Sequence, residues 1–206
     1  MKKALNISLK NELVISNLNE ENDDIELEEE EKEEEIIALL ENDMVIIKKE
    51  QAKIIYEKGY YGNLQDDGSL RLDPVEIFLL CERKRIKILD NKGKEYDFSQ
   101  IVKKFINLFP GIWVKYLSYK DLRSRGYIVR AGYGTDIDYR VYDRGAQTGV
   151  DAAQYLVHTV IEGVPMSLDS LDKITKIAKS NRKKLVLAVV DRVGEVTFYK
   201  AQEVDL

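Results

Sequence analysis

Residues 125–145 read RGYIVRAGYGTDIDYRVYDRG, residues 152–158 read AAQYLVH, and residues 180–200 read SNRKKLVLAVVDRVGEVTFYK. YIVRAG and IDYRVY alternate apolar and polar side chains, which predicts two strands joined through the glycine-rich segment 132–134. AAQYLVHTVI predicts a third strand, and LVLAVVD predicts a central strand because it is apolar on both faces. VTFYKA predicts a last strand after a tight RVGE turn. Together these runs predict one sheet.

Two helical patterns accompany these strands. WVKYLSYKDLRSR predicts a helix that ends at Gly126. SLDSLDKITKIAKSNRKK predicts a second helix, with Ser167 or Ser170 as its cap and an apolar stripe along one face. The stripe consists of Leu171, Ile174, Ile177 and Ala178.

The chain is predicted to divide near Phe109-Pro110-Gly111, since proline and glycine together punctuate a helix end. Before this point, ALNISL, ELVIS, MVIIKK and RIKIL predict strands. EQAKIIYEK, the run from Pro74 to about Lys84 and FSQIVKKFINLF predict helices. We therefore expect an α/β (α+β) fold. A small N-terminal α/β domain (1–110) precedes a C-terminal domain (111–206) with a mixed central sheet flanked by helices.

The net charge of −5 conceals an uneven distribution. Residues 20–35, EENDDIELEEEEKEEE, hold twelve acids and one lysine, and the rest of the chain is at +6. The acidic run is typical of a solvated loop or helix end, although a docking surface for a basic partner or an RNA mimic stays open. The positive remainder suits a protein that meets phosphates.

Composition also excludes several classes of protein. No apolar run approaches the roughly 20 residues that cross a bilayer, and the N-terminus does not resemble a signal peptide. The single cysteine, Cys81, excludes an internal disulfide and fits a reducing cytoplasm. The sequence has no cluster of His, Cys and carboxylates at metal-ligand spacing, so neither a metal nor another cofactor is expected.

These blocks, together with YEKGYYG (56–62) and LDPVEIFLLCERKRIKI (72–88), resemble the archaeal tRNA-splicing endonucleases. The similarity covers almost the whole chain except the acidic run, which looks like an insertion. The resemblance implies that residues 111–206 form the nuclease domain. It also implies cleavage of precursor tRNA at intron–exon junctions that carry a bulge-helix-bulge motif.

Members of that family use a tyrosine, a histidine and a lysine for cleavage. Tyr142 in RVYDRG matches the tyrosine, and Lys183 matches the lysine. The histidine normally stands three residues before the tyrosine of a Tyr-Leu-Val motif. That tyrosine is Tyr155 here, so the matching position is Ala152. Asp151 is one residue out of register and is not accepted as a substitute.

The resemblance assigns a role to each position. A ribose 2′-hydroxyl attacks the adjacent phosphorus and leaves a 2′,3′-cyclic phosphate and a 5′-hydroxyl, with no metal required. Tyr142 takes the 2′ proton, histidine protonates the departing 5′-oxygen, and Lys183 stabilises the charged phosphorane. Without its histidine the chain is expected to be inactive or strongly impaired.

Ala152 admits two explanations. One is an engineered replacement of the histidine, and the other is a natural non-catalytic subunit that supports an active partner. The retention of Tyr142 and Lys183 favours the first. His158 is the only histidine and is expected to be structural or part of an interface, because an extended strand separates it from position 152 by about 20 Å. A general RNA-binding module is the remaining alternative.

The resemblance also implies how the substrate is gripped and how subunits assemble. Lys176 matches an arginine that stacks on a bulged base, which a lysine cannot do in the same way. Asp191 and Glu195 match an acidic loop that enters a basic pocket of another subunit. Two cleavages by a chain with one nuclease domain require self-association or a homologous subunit, as a homotetramer or a heterotetramer.

Overall fold

A computed structural model of the chain describes residues 35–203. The predicted strands ALNISL and ELVIS lie outside these residues, as does the acidic run apart from Glu35. Among the described residues, no helix combines the length and the apolar character that crossing a membrane would require.

The first sheet lies in the N-terminal half and has six strands in the spatial order β3-β4-β2-β1-β5-β6. Its strands are β1 (Ile37–Glu41), β2 (Met44–Ile47), β3 (Asn63–Leu64), β4 (Leu70–Leu72), β5 (Lys87–Asp90) and β6 (Glu95–Tyr96). Only β1 and β5 pair in parallel, and the other neighbours are antiparallel. The sheet is therefore mixed.

Three helices belong to this half: α1 (Lys49–Glu57), α2 (Pro74–Glu82) and α3 (Phe98–Leu108). Helix α2 begins where the sequence predicts, because Asp73 is its N-cap and the carboxylate of Glu76 accepts the Asp73 amide at 2.9 Å. Asp97 caps α3 in the same reciprocal way with Gln100, over 2.8 and 3.1 Å.

The second sheet lies in the C-terminal half and has the order β11-β10-β9-β8-β7. Its strands are β7 (Ile128–Ala131), β8 (Tyr139–Tyr142), β9 (Tyr155–Ile161), β10 (Lys184–Val190) and β11 (Val196–Ala201). Strands β9 and β10 are parallel, and the other pairs are antiparallel. The predicted mixed sheet is confirmed.

One helix packs on each face of this second sheet: α4 (Ile112–Ser124) and α5 (Leu168–Ser180). The Ser167 hydroxyl accepts the Ser170 amide at 3.1 Å, so Ser167 rather than Ser170 is the cap of α5. The apolar stripe of α5 packs against Leu156 and Leu185 of the sheet. The α/β class with a flanked mixed sheet is therefore confirmed.

Gly111 is the N-cap of α4 and has a φ of 80°, in the left-handed region that favours glycine. The predicted division near Phe109-Pro110-Gly111 falls between α3 and α4. As a domain boundary it stays a prediction, because side chains of the two halves also contact each other. For example, the hydroxyl of Tyr116 donates a hydrogen bond to Glu82 at 2.6 Å.

Several details differ from the sequence prediction. Strands β1, β3, β4 and β6 were not predicted, and the last three are only two or three residues long. Strand β9 begins at Tyr155, three residues later than AAQYLVHTVI predicted. Strand β10 is an interior strand but not the middle one, since β9 has that place.

Candidate active site

The topology of the second sheet brings the three predicted catalytic positions to one edge. Strands β8 and β9 are antiparallel, so the end of β8 meets the start of β9. Strands β9 and β10 are parallel, so their starts lie side by side. Gln154 links the three strands: its amide donates to the Val141 carbonyl at 2.9 Å, and its carbonyl accepts the Lys184 amide at 3.1 Å.

Tyr142 and Lys183 also share a face of the sheet. Leu156 and Leu185 are paired across β9 and β10, and both pack against α5. Side chains two residues apart in a strand point to the same face, so Lys183, directly before β10, lies on the α5 side with Leu185. Arg140 of β8 pairs with Leu156, so Tyr142, two residues further along β8, lies on the same side.

Tyr142 is the last residue of β8 and is only 8% exposed. Its ring belongs to a small cluster with Ile128 and Ala153, against which Tyr60 and Ala146 pack. Ile128 is its cross-strand partner on β7. Tyr60 comes from the N-terminal half, and its packing against this cluster was not predicted from the sequence.

Lys183 is half-buried where the chain leaves α5 for β10, and its amide donates to the Ala178 carbonyl at 2.9 Å. Within residues 35–203 no carboxylate forms an ion pair with its ammonium. Lys184 points to the opposite face, where its Nζ lies 5.5 Å from the centre of the Tyr155 ring. Of the two lysines, Lys183 therefore shares the face of Tyr142.

Ala152 is exposed and lies in the extended segment just before β9. The neighbouring Asp151 is engaged elsewhere, because its Oδ2 accepts the Gln147 amide at 2.7 Å and closes the loop. It therefore offers no evident substitute for the histidine. The side chain at position 152 faces solvent, and Ala153 and Gln154 separate it from Tyr155.

His158 lies further along β9 and is held by the backbone. Its Nδ1 is 2.7 Å from the carbonyl oxygen of Asp136 and 3.8 Å from Oδ2 of Asp138. Asp138 is buried, and its carboxylate also accepts Lys115 Nζ and the Thr159 amide, each at 2.7 Å. His158 is therefore part of a structural network away from the edge that carries Tyr142.

Lys176 lies on the solvent-exposed side of α5 and forms an ion pair with Asp172 at 2.6 Å. The hydrogen bond to Asp172, and its negative charge, raise the pKa of Lys176 above its ordinary value. Lys176 is therefore a charged group on the surface, two helical turns before Lys183. Its role in RNA binding stays a prediction.

Asp191 and Glu195 lie in the turn between β10 and β11, at the opposite end of the sheet from Lys183. The Asp191 carboxylate accepts the amides of Val193 and Glu195 at 2.9 and 2.8 Å, so it closes the turn. Glu195 is exposed. The turn is thus ordered, and its part in subunit assembly stays a prediction.

Metal-binding groups can be examined only within residues 35–203. There, no three His, Cys, Asp or Glu side chains are grouped so that they could hold a metal ion.

Both halves of the chain match family models. The one described as "tRNA intron endonuclease, N-terminal domain" matches residues 36–102, and "tRNA intron endonuclease, catalytic C-terminal domain" matches residues 112–198. The first match contains the first sheet, and the second contains Tyr142, Ala152 and Lys183.

Curated relatives from archaea are similar over about three quarters of the chain. The tRNA-splicing endonuclease of Methanococcoides burtonii is 37% identical over 76% of this chain and 43% of its own length. That of Thermococcus onnurineus is 34% identical over 79% of this chain and 93% of its own length. The tRNA-splicing endonuclease of Methanosarcina acetivorans is 36% identical over 78% of this chain and 45% of its own length. The chain thus spans less than half the length of some relatives and nearly all of another.

Proposed function

Because the chain belongs to the tRNA intron endonuclease family, we propose that it is an endoribonuclease that cuts precursor tRNA at intron–exon junctions. The observation that carries the proposal is the arrangement at one edge of the second sheet. Tyr142 and Lys183 lie there on the same face, and the backbone of Gln154 links the end of β8 to the start of β10. A buried phenol, and an ammonium without a carboxylate partner among residues 35–203, are groups suited to phosphate chemistry when they share one edge.

In the proposed reaction, the ribose 2′-oxygen forms a bond to the adjacent phosphorus while its proton passes to Tyr142. A phenol with a reference pKa of about 10 is a poor base at neutral pH, so a nearby cation has to assist. Lys183 supplies that cation, and its charge also stabilises the phosphorane oxygens. The bond from phosphorus to the 5′-oxygen then breaks, which leaves a 2′,3′-cyclic phosphate.

The last step requires a proton on the departing 5′-oxygen. Histidine, with a reference pKa of about 6.5, supplies such a proton well near neutral pH. Alanine at position 152 has no proton to give, and Asp151 is committed to the loop. We infer that this chain binds its substrate but cleaves it slowly.

The proposed substrate carries a bulge-helix-bulge motif, whose unpaired bases are accessible to side chains. Lys176 lies on the surface of α5, where its charge is available to a phosphate if the ion pair with Asp172 opens. Two junctions must be cut, so two copies of the site are needed. Self-association or pairing with a homologous subunit would provide them, with Asp191 and Glu195 in the contacting turn.

The test is cleavage of a bulge-helix-bulge RNA by the Ala152→His variant in the presence of EDTA. We expect 2′,3′-cyclic phosphate and 5′-hydroxyl ends, identified by phosphatase and kinase treatment of the products. A linear RNA of the same composition is the control. Dependence on Mg²⁺, or 5′-phosphate ends, would overturn the mechanism.

A second candidate, a non-catalytic subunit that supports an active partner, is favoured by Ala152 alone. It predicts that the histidine variant still binds the RNA but does not cut it. Mixing the chain with an active homologous subunit distinguishes the two, since a supporting subunit raises the partner's activity whichever residue stands at position 152.

A further inference from the structure

We propose that Tyr60, in the N-terminal half, is a positioning residue for Tyr142. The proposal deepens the proposed function: the placement of the Tyr142 ring can be tested without any cleavage, and only the effect on rate rests on that function. Tyr60 follows α1 within the segment Gly59–Asn63, which is far from Tyr142 in the sequence.

The contact itself is apolar. Tyr60 is half-buried and packs against the cluster of Tyr142, Ile128 and Ala153. The Tyr60 ring also makes a T-shaped contact with Tyr56 of α1, with centroids 5.7 Å apart and planes at 80°. The Tyr60 ring therefore links α1 to the end of β8.

The backbone of this segment is tied to the sheet that carries Tyr142. Arg130 of β7 donates from Nη1 to the carbonyls of Tyr60 at 2.5 Å and Gly62 at 2.6 Å. Its Nη2 donates to the side chain of Asn63 at 3.0 Å. Arg130 lies two residues after Ile128, the cross-strand partner of Tyr142. The same strand thus holds both the segment and the catalytic tyrosine.

Two further charged side chains fix the segment. Arg123 of α4 donates to the Gly59 carbonyl at 2.7 Å, and its guanidinium lies 3.9 Å from the centre of the Tyr61 ring. The buried carboxyl of Glu76 accepts the Gly62 amide at 3.0 Å. Tyr60 itself has a φ of 55°, in the left-handed region that is strained for a residue other than glycine. This conformation is maintained because its neighbours on both sides are anchored.

Tyr142 needs such support because β8 ends with it, and exposed residues begin at Asp143. The strand fixes its backbone, but its ring must be held from the side. A displacement of about 1 Å at a reacting group can cost a factor of about 100 in rate. Loss of the packing of Tyr60 should therefore lower the rate of cleavage by displacing the Tyr142 ring, although Tyr60 need not touch the substrate.

The first test compares Tyr60→Ala with Tyr60→Phe in the histidine form. Tyr60→Phe keeps the ring, and we expect its single-turnover rate to stay within about threefold of the parent. Tyr60→Ala should lower that rate by roughly 10- to 100-fold, with little change in RNA affinity. Tyr96→Ala removes a half-buried tyrosine from the edge strand β6 and is the matched control for lost stability. Equal rates for Tyr60→Ala and the parent would overturn the proposal.

The second test is ¹⁹F NMR of the unchanged chain labelled with 3-fluorotyrosine. The resonance of Tyr142 is the one that disappears in Tyr142→Phe. We expect Tyr60→Ala to shift this resonance and to increase its H₂O/D₂O isotope shift, because the ring becomes more exposed. Arg130→Lys removes the guanidinium that binds the carbonyls of Tyr60 and Gly62, so it should shift the Tyr142 resonance in the same direction. This variant replaces Tyr60→Ala in the test if Tyr60→Ala does not fold. If the histidine form proves inactive, this resonance alone decides: an unchanged signal overturns the proposal, and a changed signal supports it.

Discussion

Replacing Ala152 by histidine should convert a slow enzyme into a fast one. Position 152 is exposed, so the larger side chain meets no packed core and should alter the free energy of unfolding by less than about 0.5 kcal/mol. Any gain in rate therefore has to come from the imidazole. General acid catalysis contributes roughly 10²- to 10⁴-fold, or about 3–5 kcal/mol of the activation barrier.

The pH dependence makes the prediction specific. The ratio of the two single-turnover rates, Ala152→His over the unchanged chain, cancels the steps that do not involve position 152. That ratio should be constant well below pH 6.5. Above about pH 6.5 it should fall by about tenfold per pH unit, because only the protonated imidazole donates.

The assay is single-turnover cleavage of a labelled bulge-helix-bulge RNA, with binding measured separately. Free imidazole added to the unchanged chain provides an independent check, since it can enter the open position and should restore part of the rate. Ala152→Gln, which adds bulk without a titrating group, is the control and should not accelerate cleavage. A histidine form that binds RNA but cleaves no faster would refute the assignment of position 152.

Three other predictions concern the remaining residues. In the histidine form, Tyr142→Phe and Lys183→Ala should each lower the single-turnover rate by at least about tenfold with little change in RNA affinity, because they act on the transition state; a normal rate would remove that residue from the site. Glu195→Gln together with Asp191→Asn, which keeps the oxygen that closes the turn, should weaken the oligomer in dilute sedimentation runs, and an unchanged mass would mean that the subunits are held elsewhere. Burial raises the pKa of Glu76 from its ordinary 4.5 to about 7, so its contribution to stability is fully present below pH 4.5 and is lost as the pH rises through 7. The free energy of unfolding in denaturant should therefore fall by about 3 kcal/mol between these pH values, and Glu76→Gln should reduce this dependence on pH.

Local rules of capping and periodicity predicted much of the fold. The start of α2 followed from Asp73-Pro74. Strands β7 and β8 followed from their alternation, and β10 followed from its nearly continuous apolar run. The hairpin of β1 and β2 was not predicted, although it carries a signal. Asn42 and Asp43 both have positive φ, 45° and 64°, as a two-residue turn with matching twist requires. Strand β1, the short apolar strand before this turn, follows almost directly on the acidic run, which obscured it.

Short strands and distant contacts could not be read from the sequence. Strands β3 and β6 have two residues each, so they have no periodicity to detect and depend on their neighbours. The packing of Tyr60 against the cluster of Tyr142, Ile128 and Ala153 depends on how the two halves pack. The block YEKGYYG was used only for its resemblance, and the left-handed Tyr60 inside it was not predicted.

The catalytic assignments came from the resemblance, and the structure adds a reason to regard them as one unit. Residue spacing in the sequence gives no relation between Tyr142 and Lys183, whereas the pairing of β8, β9 and β10 brings them to one face at the same edge of the sheet. Everything around position 152 is compatible with a histidine: the site is open, Tyr142 is packed, and Lys183 has no acidic partner in the described part of the chain. In the proposed site, the histidine at position 152 is the one side chain that is missing. The retained geometry favours an active site in which the histidine has been replaced over a subunit that has lost its catalytic arrangement.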